Sequence, residues 1–231
     1  MASSDTYKRQ AAEAAAAWAE SGMVLGLGTG STARHAIAAI GRRLAEGDLH
    51  DVQGIATSSA TERQARDLGI PLIDIADLPP IDLCIDGADE VDPQLDLIKG
   101  LGGALLREKL VAGAAARFVV VADAAKAVSR LGERRPLPVA VLPFAWKSHL
   151  AFLTELGAVP ELRLDAEGRP LLSDDGLYHL DCRFAQGIED PELLEAQLKL
   201  RPGIVDSGLF LGLATDALIA GEDGLTHLRR P

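Results

Sequence analysis

The stretch MVLGLGTGSTARHAIAAIGRRLAEG, residues 23–47, decides how the chain folds. Its opening, MVLGLG, is a short apolar run of the kind that makes a strand covered on both faces. From Ala33 the period changes. Ala33, Ile37, Ile40 and Leu44 recur three or four residues apart, which puts them on one face of a helix. Between strand and helix stand Gly28, Thr29, Gly30, Ser31 and Thr32. Glycines let the backbone turn tightly with its N–H groups exposed, and a helix start adds partial positive charge. The three hydroxyls add donors, so this is an anion-binding turn rather than a bare connection. It is not a P-loop, because no Lys follows the last glycine, and Ser31 breaks the GxGxxG spacing. No lone acid follows the second strand to take a ribose, so a dinucleotide is not favoured.

The pattern extends outward in both directions. Ser4 or Asp5 can cap an Ala-rich helix that Gly22 ends. VQGIAT reads as a second strand, and Ser59 to Glu62 as a capping box opening a helix that Gly69 closes. PLIDI and DLCID are further apolar runs, followed by a helix over about 103–115 and the strand RFVVVAD. Strands alternating with helices predict an α/β fold: a Rossmann-like parallel sheet with helices on both faces.

After about Ser129 the character changes. PLPVAVLPF, a helix, VPELRL, and two runs around Asp175-Gly176 precede a helix near Pro191 to Leu200. This predicts a smaller α+β, ferredoxin-like domain. The tail, with its Asp223-Gly224 turn, returns to short strands that rejoin the first sheet. The expected division is 1–128 with 205–231 as the catalytic domain, and 129–204 as a small lid or oligomerisation domain.

Composition bounds the partners. The chain has 231 residues, 48% apolar and only 4% aromatic, with a net charge of −11, which argues against nucleic acid or an anionic membrane surface. An anionic substrate therefore needs a local cluster of cations. Cys84 and Cys182 lie far apart and read as buried reduced thiols. Glu13 and Glu20 interrupt the N-terminal alanine run, so no signal peptide or membrane span is read, and a cytoplasmic protein is expected.

The stretch LCIDGADEVDPQLDLIKG, 83–100, sets Asp86, Asp89, Glu90 and Asp92 at the end of a buried strand. Crowded carboxylates repel, and burying one is costly unless it is paired. Either the loop is simply solvated, as Glu90 and Asp92 read, or the repulsion has a use. KGLGGALLREK, 99–109, is a second glycine-rich segment, starting with Lys99 and ending in a charged triplet around Glu108. A helix opening at Gly102-Gly103 would put Glu108 more than a turn inside it, where such triplets are usually a solvated face. The five histidines show no metal spacing. An Asp-rich loop can hold magnesium, but without phosphoanhydride chemistry no metal is assigned.

GLGTGST, DGADEVD, KGLGGALLREK and ADAAK, in this order and spacing, resemble ribose-5-phosphate isomerase of the A type over nearly the whole chain. The resemblance implies a cofactor-free aldose–ketose isomerase that interconverts D-ribose 5-phosphate and D-ribulose 5-phosphate through an enediol. It implies Glu108 as the base, Asp86 and Asp89 at the sugar hydroxyls, and Lys99 as positive charge at the reacting oxygens. Thr29, Ser31 and Thr32 would hold substrate, with Gly28, Gly30, Gly87 and Gly102 around it and Lys8 and Lys126 near its phosphate. A homodimer or tetramer is also implied. Carboxylates crowded near Glu108 would then separate proton affinities, so that one group accepts a proton while another holds one.

The chain departs from the family pattern at Leu101, where a glycine is usual, at Leu106, where a threonine is usual, and at Thr57-Ser58-Ser59. Altered kinetics at most are expected from the two leucines, since every charged member of the set remains, while the third departure puts one polar contact of the family in question. A non-catalytic sugar-phosphate sensor on the same sheet would need no base. An amino-sugar phosphate deaminase or an acyl-CoA transferase would want a histidine or a nucleophilic glutamate in another setting. Asp86, Asp89, Lys99 and Glu108 together favour the isomerase.

Overall fold

The computed structural model describes residues 3–74, 76 and 79–230. In chain order the elements are α1 (Ser4–Ala16), β1 (Val24–Leu27), α2 (Ala33–Glu46), β2 (Gln53–Ala56), α3 (Ser59–Asp67), β3 (Ile81–Gly87), β4 (Glu90–Val91), β5 (Leu97–Ile98), α4 (Leu105–Gly113) and β6 (Ala115–Asp123). They continue with β7 (Leu137–Val141), α5 (Ser148–Glu155), β8 (Ala158–Leu162), β9 (Tyr178–Phe184), α6 (Pro191–Lys199), β10 (Ile204–Ser207), β11 (Leu209–Phe210), β12 (Asp216–Gly221) and β13 (Gly224–Arg229).

Two compact units result. The first comprises Met1–Ala88, Arg107–Lys126 and Gly212–Pro231, the second Asp89–Leu106 and Ala127–Leu211. This differs from a division at 128 and 205. Strands β4, β5 and β11 pair with one another, and β10 pairs with β7, so 89–106 and 205–211 belong with the second unit.

The first unit is built on a six-stranded sheet ordered β13-β12-β6-β3-β1-β2. Neighbours are parallel except the β12–β13 hairpin, which closes at Gly221 and Gly224 as the Asp223-Gly224 signal predicts. Strand order reverses direction at β1/β3, the place where doubly wound sheets bind ligands beyond their strand C-termini. Leu25, Leu27, Leu83, Ile85, Val119 and Val121 share one core with the alanines of α1 and with Ile37 and Ile40 of α2. Alternate positions face the other way. A Cβ on Gly26 would come within 2.8 Å of Val111 in α4, so helices cover both faces, as continuous apolar strands require.

The second unit runs β7-α5-β8-β9-α6-β10 with sheet order β10-β7-β9-β8, every pair antiparallel. This is the split βαβ, ferredoxin-like arrangement. Leu137, Val139, Val141, Leu180, Leu153, Leu194 and Leu198 build its core. The β8–β9 hairpin narrows at the Leu164–Pro170 bridge, and its tip spans 165–169. Asp175-Gly176 is not that tip. It is a small turn closed on Ser173, whose hydroxyl accepts from the Asp175 and Leu177 N–H groups.

Local boundaries differ from expectation at four places. Ser3 caps α1 by accepting from the Thr6 N–H, and the helix ends at Ala16, well before Gly22. Ser58, not Ser59, caps α3. PLIDI contributes only a bridge from Leu72 to Gly54, and its Ile75 lies outside the described residues. The fourth helix starts at Leu105, because Gly103 has a left-handed φ of +89° that a helix cannot use. Both cysteines are buried thiols, and burial pushes Cys182 up to about 12. No described helix is long and apolar enough to cross a membrane.

Candidate active site

The C-terminal end of β3 delivers Asp86 fully buried, beside the turn that leaves β1. Its Oδ1 accepts from the Thr29 N–H at 3.0 Å and from the Gly87 N–H at 2.7 Å. A Cβ on Gly28 would lie 2.2 Å from that same oxygen, so only glycine lets the turn approach this closely. Gly30 has φ +110°, the second position where the turn needs glycine.

The Thr29 hydroxyl lies 2.6 Å from Thr57 Oγ1, 2.9 Å from Ser58 Oγ and 3.2 Å from Thr61 Oγ1. Thr57 and Thr61 also donate to the carbonyls of Leu27 and Gly28. This buried hydroxyl web fixes the turn to the start of α3. Thr57 lies in the segment that departs from the family pattern, and Thr61 carries no sequence signal beyond a run of small hydroxyl residues after β2. Thr29 thus spends its hydroxyl inside the protein. Ser31 is exposed and receives a hydrogen bond from Lys8 of α1 at 3.1 Å, while Thr32 is buried at the start of α2. Lys126 ends a 3-10 turn directly after β6, half-buried. Beside it, Asp123 accepts from Ser4 and from the Ala125 N–H.

Glu108 is buried and sits in the first turn of α4, not deeper, because the helix opens at Leu105. A carboxylate there is favoured by the partial positive charge of the helix N-terminus. A solvated face is therefore the wrong description of this residue.

The second unit holds Asp89, Glu90, Asp92 and Lys99. Lys99 is 2% exposed; its Nζ lies 5.4 Å from the Phe210 ring centroid, and its N–H donates to the Gly208 carbonyl. Asp89 donates its N–H to Ile98 and accepts from the Leu101 N–H through Oδ2 at 3.0 Å. Gly102 is exposed on the same turn. Glu90 is no solvated bystander. It is 1% exposed, and its carboxylate accepts from the N–H groups of Gly132, Arg134 and Arg135 at 2.5–2.8 Å. Asp92 is half-buried and accepts from the Gln94 and Asp96 N–H groups, closing its own loop.

Asp86, Glu108 and Lys126 belong to the first unit, Asp89 and Lys99 to the second. Within the second unit a cleft of about 930 Å³ runs along 156–157 and 184–197, and none of its lining residues is a candidate. Acids in a cleft do not make a site without chemistry directed at them. Among the described residues no group of three or more His, Cys, Asp or Glu has a metal-holding arrangement.

The family model for ribose 5-phosphate isomerase A (phosphoriboisomerase A) matches residues 53–224. The ribose-5-phosphate isomerase A of Roseiflexus castenholzii is 52% identical over 225 residues, covering 97% of this chain and 96% of that protein. That of a Synechococcus strain is 51% identical over 231 residues, covering both chains in full. Among solved structures, a D-ribose-5-phosphate isomerase in complex with phospho-erythronic acid superposes with a TM-score of 0.96 at 36% identity, covering 99% of this chain and 100% of that one. A glycine turn locked to a buried aspartate, a buried glutamate at a helix start and full-length likeness agree: the chain belongs to the ribose 5-phosphate isomerase A family.

Proposed function

We propose that the chain interconverts D-ribose 5-phosphate and D-ribulose 5-phosphate, with Glu108 moving the proton. The observation that carries the reading is the lock between Asp86 and the Gly28–Thr29 turn. It sets a fixed carboxylate beside an anion-binding turn at the switch point of the sheet, which suits a phosphorylated sugar.

In the open-chain aldose, Glu108 takes the proton from C2. The C–H electron pair forms the C1–C2 double bond of an enediolate, and the negative charge moves to O1. A proton then passes from O2 to O1, and the proton held by Glu108 returns to C1, which leaves a carbonyl at C2. Nothing is consumed, since C1 is reduced and C2 oxidised within one molecule, and no cofactor is needed. Lys99 supplies positive charge for the enediolate oxygens. Asp86 and Asp89 exchange protons with the sugar hydroxyls and assist ring opening. Gly28, Gly30, Ser31, Thr32 and Gly87 surround the sugar phosphate with Gly102, and Lys8 and Lys126 supply cations to its phosphate. The Lys8–Ser31 contact supports that grouping. Thr29 acts here by shaping the turn. The reading includes a homodimer or tetramer working in the cytoplasm.

Incubating EDTA-dialysed protein with ribose 5-phosphate in deuterated water tests this directly. Ribulose 5-phosphate carrying deuterium at C1, with deuterium appearing at C2 of recovered aldose, is the expected NMR result. Saturable binding without conversion would favour the sensor instead, and activity restored only by magnesium would revive the metal reading.

A further inference from the structure

Arg163 stands immediately after β8, and its side chain is 11% exposed. Asp181 of β9 takes two of its donors: Nε at 2.9 Å and Nη2 in a second, very short contact. The remaining terminal nitrogen, Nη1, donates to the carbonyls of Gly100 at 2.9 Å and Leu101 at 3.1 Å. Those carbonyls belong to the turn that follows Lys99. All of these residues lie within the second unit.

The peptide joining Gly100 to Leu101 is held at both ends. Its oxygen accepts from Arg163, and its N–H donates to Asp89 at 3.0 Å. In a trans peptide these two groups point in opposite directions, so a cation and an anion grip one rigid plane from opposite sides. The result is a continuous line of contacts, Asp181 to Arg163 to the 100–101 peptide to Asp89. Rotating that peptide would break charge-assisted bonds at both ends. A half-buried ion pair contributes little to stability alone, since desolvation offsets part of its attraction. Its value lies in what its remaining donors hold.

We propose that Arg163, anchored by Asp181, is a positioning residue for the isomerase reaction: it fixes the Lys99–Gly102 turn and thereby the carboxylate of Asp89. This rests on the reading that Lys99 and Asp89 act on the substrate. Lysine cannot replace it, because a single ammonium lacks the planar fork that serves Asp181 and two carbonyls at once. The cations assigned to the phosphate, Lys8 and Lys126, are in the first unit and have no part in this line.

The test is steady-state kinetics on full-length wild type, Arg163→Ala, Arg163→Lys and Asp181→Asn, with thermal melts to establish folding. For both Arg163 variants kcat should fall about 10- to 100-fold, with KM for ribose 5-phosphate within about twofold. Asp181→Asn should lose less, about 3- to 10-fold, because the amide keeps one acceptor. Millimolar guanidinium should restore part of the kcat of Arg163→Ala, while equal sodium chloride should not. A folded Arg163→Ala with wild-type kcat overturns the proposal. If Arg163→Ala fails to fold, unchanged kcat in both Arg163→Lys and Asp181→Asn overturns it equally. A tenfold rise in KM at constant kcat also overturns it, since that would make Arg163 part of substrate binding. Wild type that does not isomerise at all removes the functional reading itself, an outcome distinct from active but insensitive variants.

Discussion

The two units hold their functional groups by different means. In the first, Asp86 is fixed by backbone N–H groups and by a turn so close that position 28 has no room for a side chain. In the second, the turn after Lys99 and the loop at 132–135 are held by charged side chains distant in sequence, Arg163 and Glu90. A parallel sheet ends in backbone donors and helix starts, so glycine and small hydroxyl residues are enough to build a site there. In the second unit the roles are exchanged: Glu90 and Arg163 each carry a charge across the sequence to grip backbone N–H or carbonyl groups of a loop.

Two buried glutamates make the sharpest contrast. Replacing Glu108 by Gln should reduce kcat about 1,000-fold or more, with KM and the unfolding midpoint nearly unchanged, because the base goes and the shape stays. Retention of more than about a tenth of wild-type kcat would remove Glu108 from its role. Glu90→Ala should behave in the opposite way. Three backbone N–H groups lose their acceptor, which costs about 3 kcal/mol. Urea unfolding measures the loss, and activity at low temperature should fall far less than for Glu108→Gln. If Glu90→Ala kept its stability and lost its turnover, the division between chemical and architectural acids would fail.

That pair also shows what the sequence could disclose. Glycine turns, strand periods and the order of motifs are local, so the parallel sheet, its loop and Asp86 were legible from single stretches. In sequence Glu90 looks solvated because its partners, Gly132, Arg134 and Arg135, lie some forty residues away and donate through backbone groups that carry no side-chain signal. Arg163 carries no signal either, since the turn it holds accepts through backbone carbonyls some sixty residues away. Gly102-Gly103 looks like a helix start and sets Glu108 too deep, whereas the left-handed φ at Gly103 postpones the helix to Leu105. The resemblance to a family, not periodicity, singled out Glu108.

Acid should separate the units. Burial, with a smaller effect of the Arg163 charge, pulls the imidazole of His179 in β9 from 6.5 down to about 4. Above pH 6.5 the ring is neutral in both folded and unfolded chains, and its contribution is complete. Between 6.5 and about 4 only the unfolded chain binds the proton, so stability falls, by at most about 3 kcal/mol. Below that the loss stops. In the first unit, burial would raise Asp216, but hydrogen bonds from Arg117, His227 and Thr215 outweigh it and hold the carboxyl far below its usual range. Its contribution therefore persists across the same window. Trp18 and Trp146 belong to different units, so Trp18→Phe reports on the second and Trp146→Phe on the first. The Trp146 signal should lose urea resistance between pH 6.5 and 4 more than the Trp18 signal, and His179→Leu should reduce the difference. Equal losses at both probes would show that these buried groups do not set the acid response.

The smallest effects belong to the departures from the family pattern. Leu106 packs against Leu105, Ala140 and Leu177, so Leu106→Thr should cost about 1 kcal/mol of stability and change kcat less than threefold. Leu101 is more informative. Its backbone has no positive φ, so a leucine is unstrained there, and its bonds to Asp89 and Arg163 are made by backbone atoms alone. Leu101→Gly leaves every one of those bonds available and adds only backbone freedom to the turn. With Arg163 in place the turn stays clamped, and kcat should change less than threefold. With Arg163→Ala the added freedom is no longer restrained, so the double variant should lose more than the product of the two single losses. Simple multiplication would mean that the leucine and the arginine act on the turn independently, and the distinction between side-chain clamping here and backbone clamping at Asp86 would lose its functional meaning.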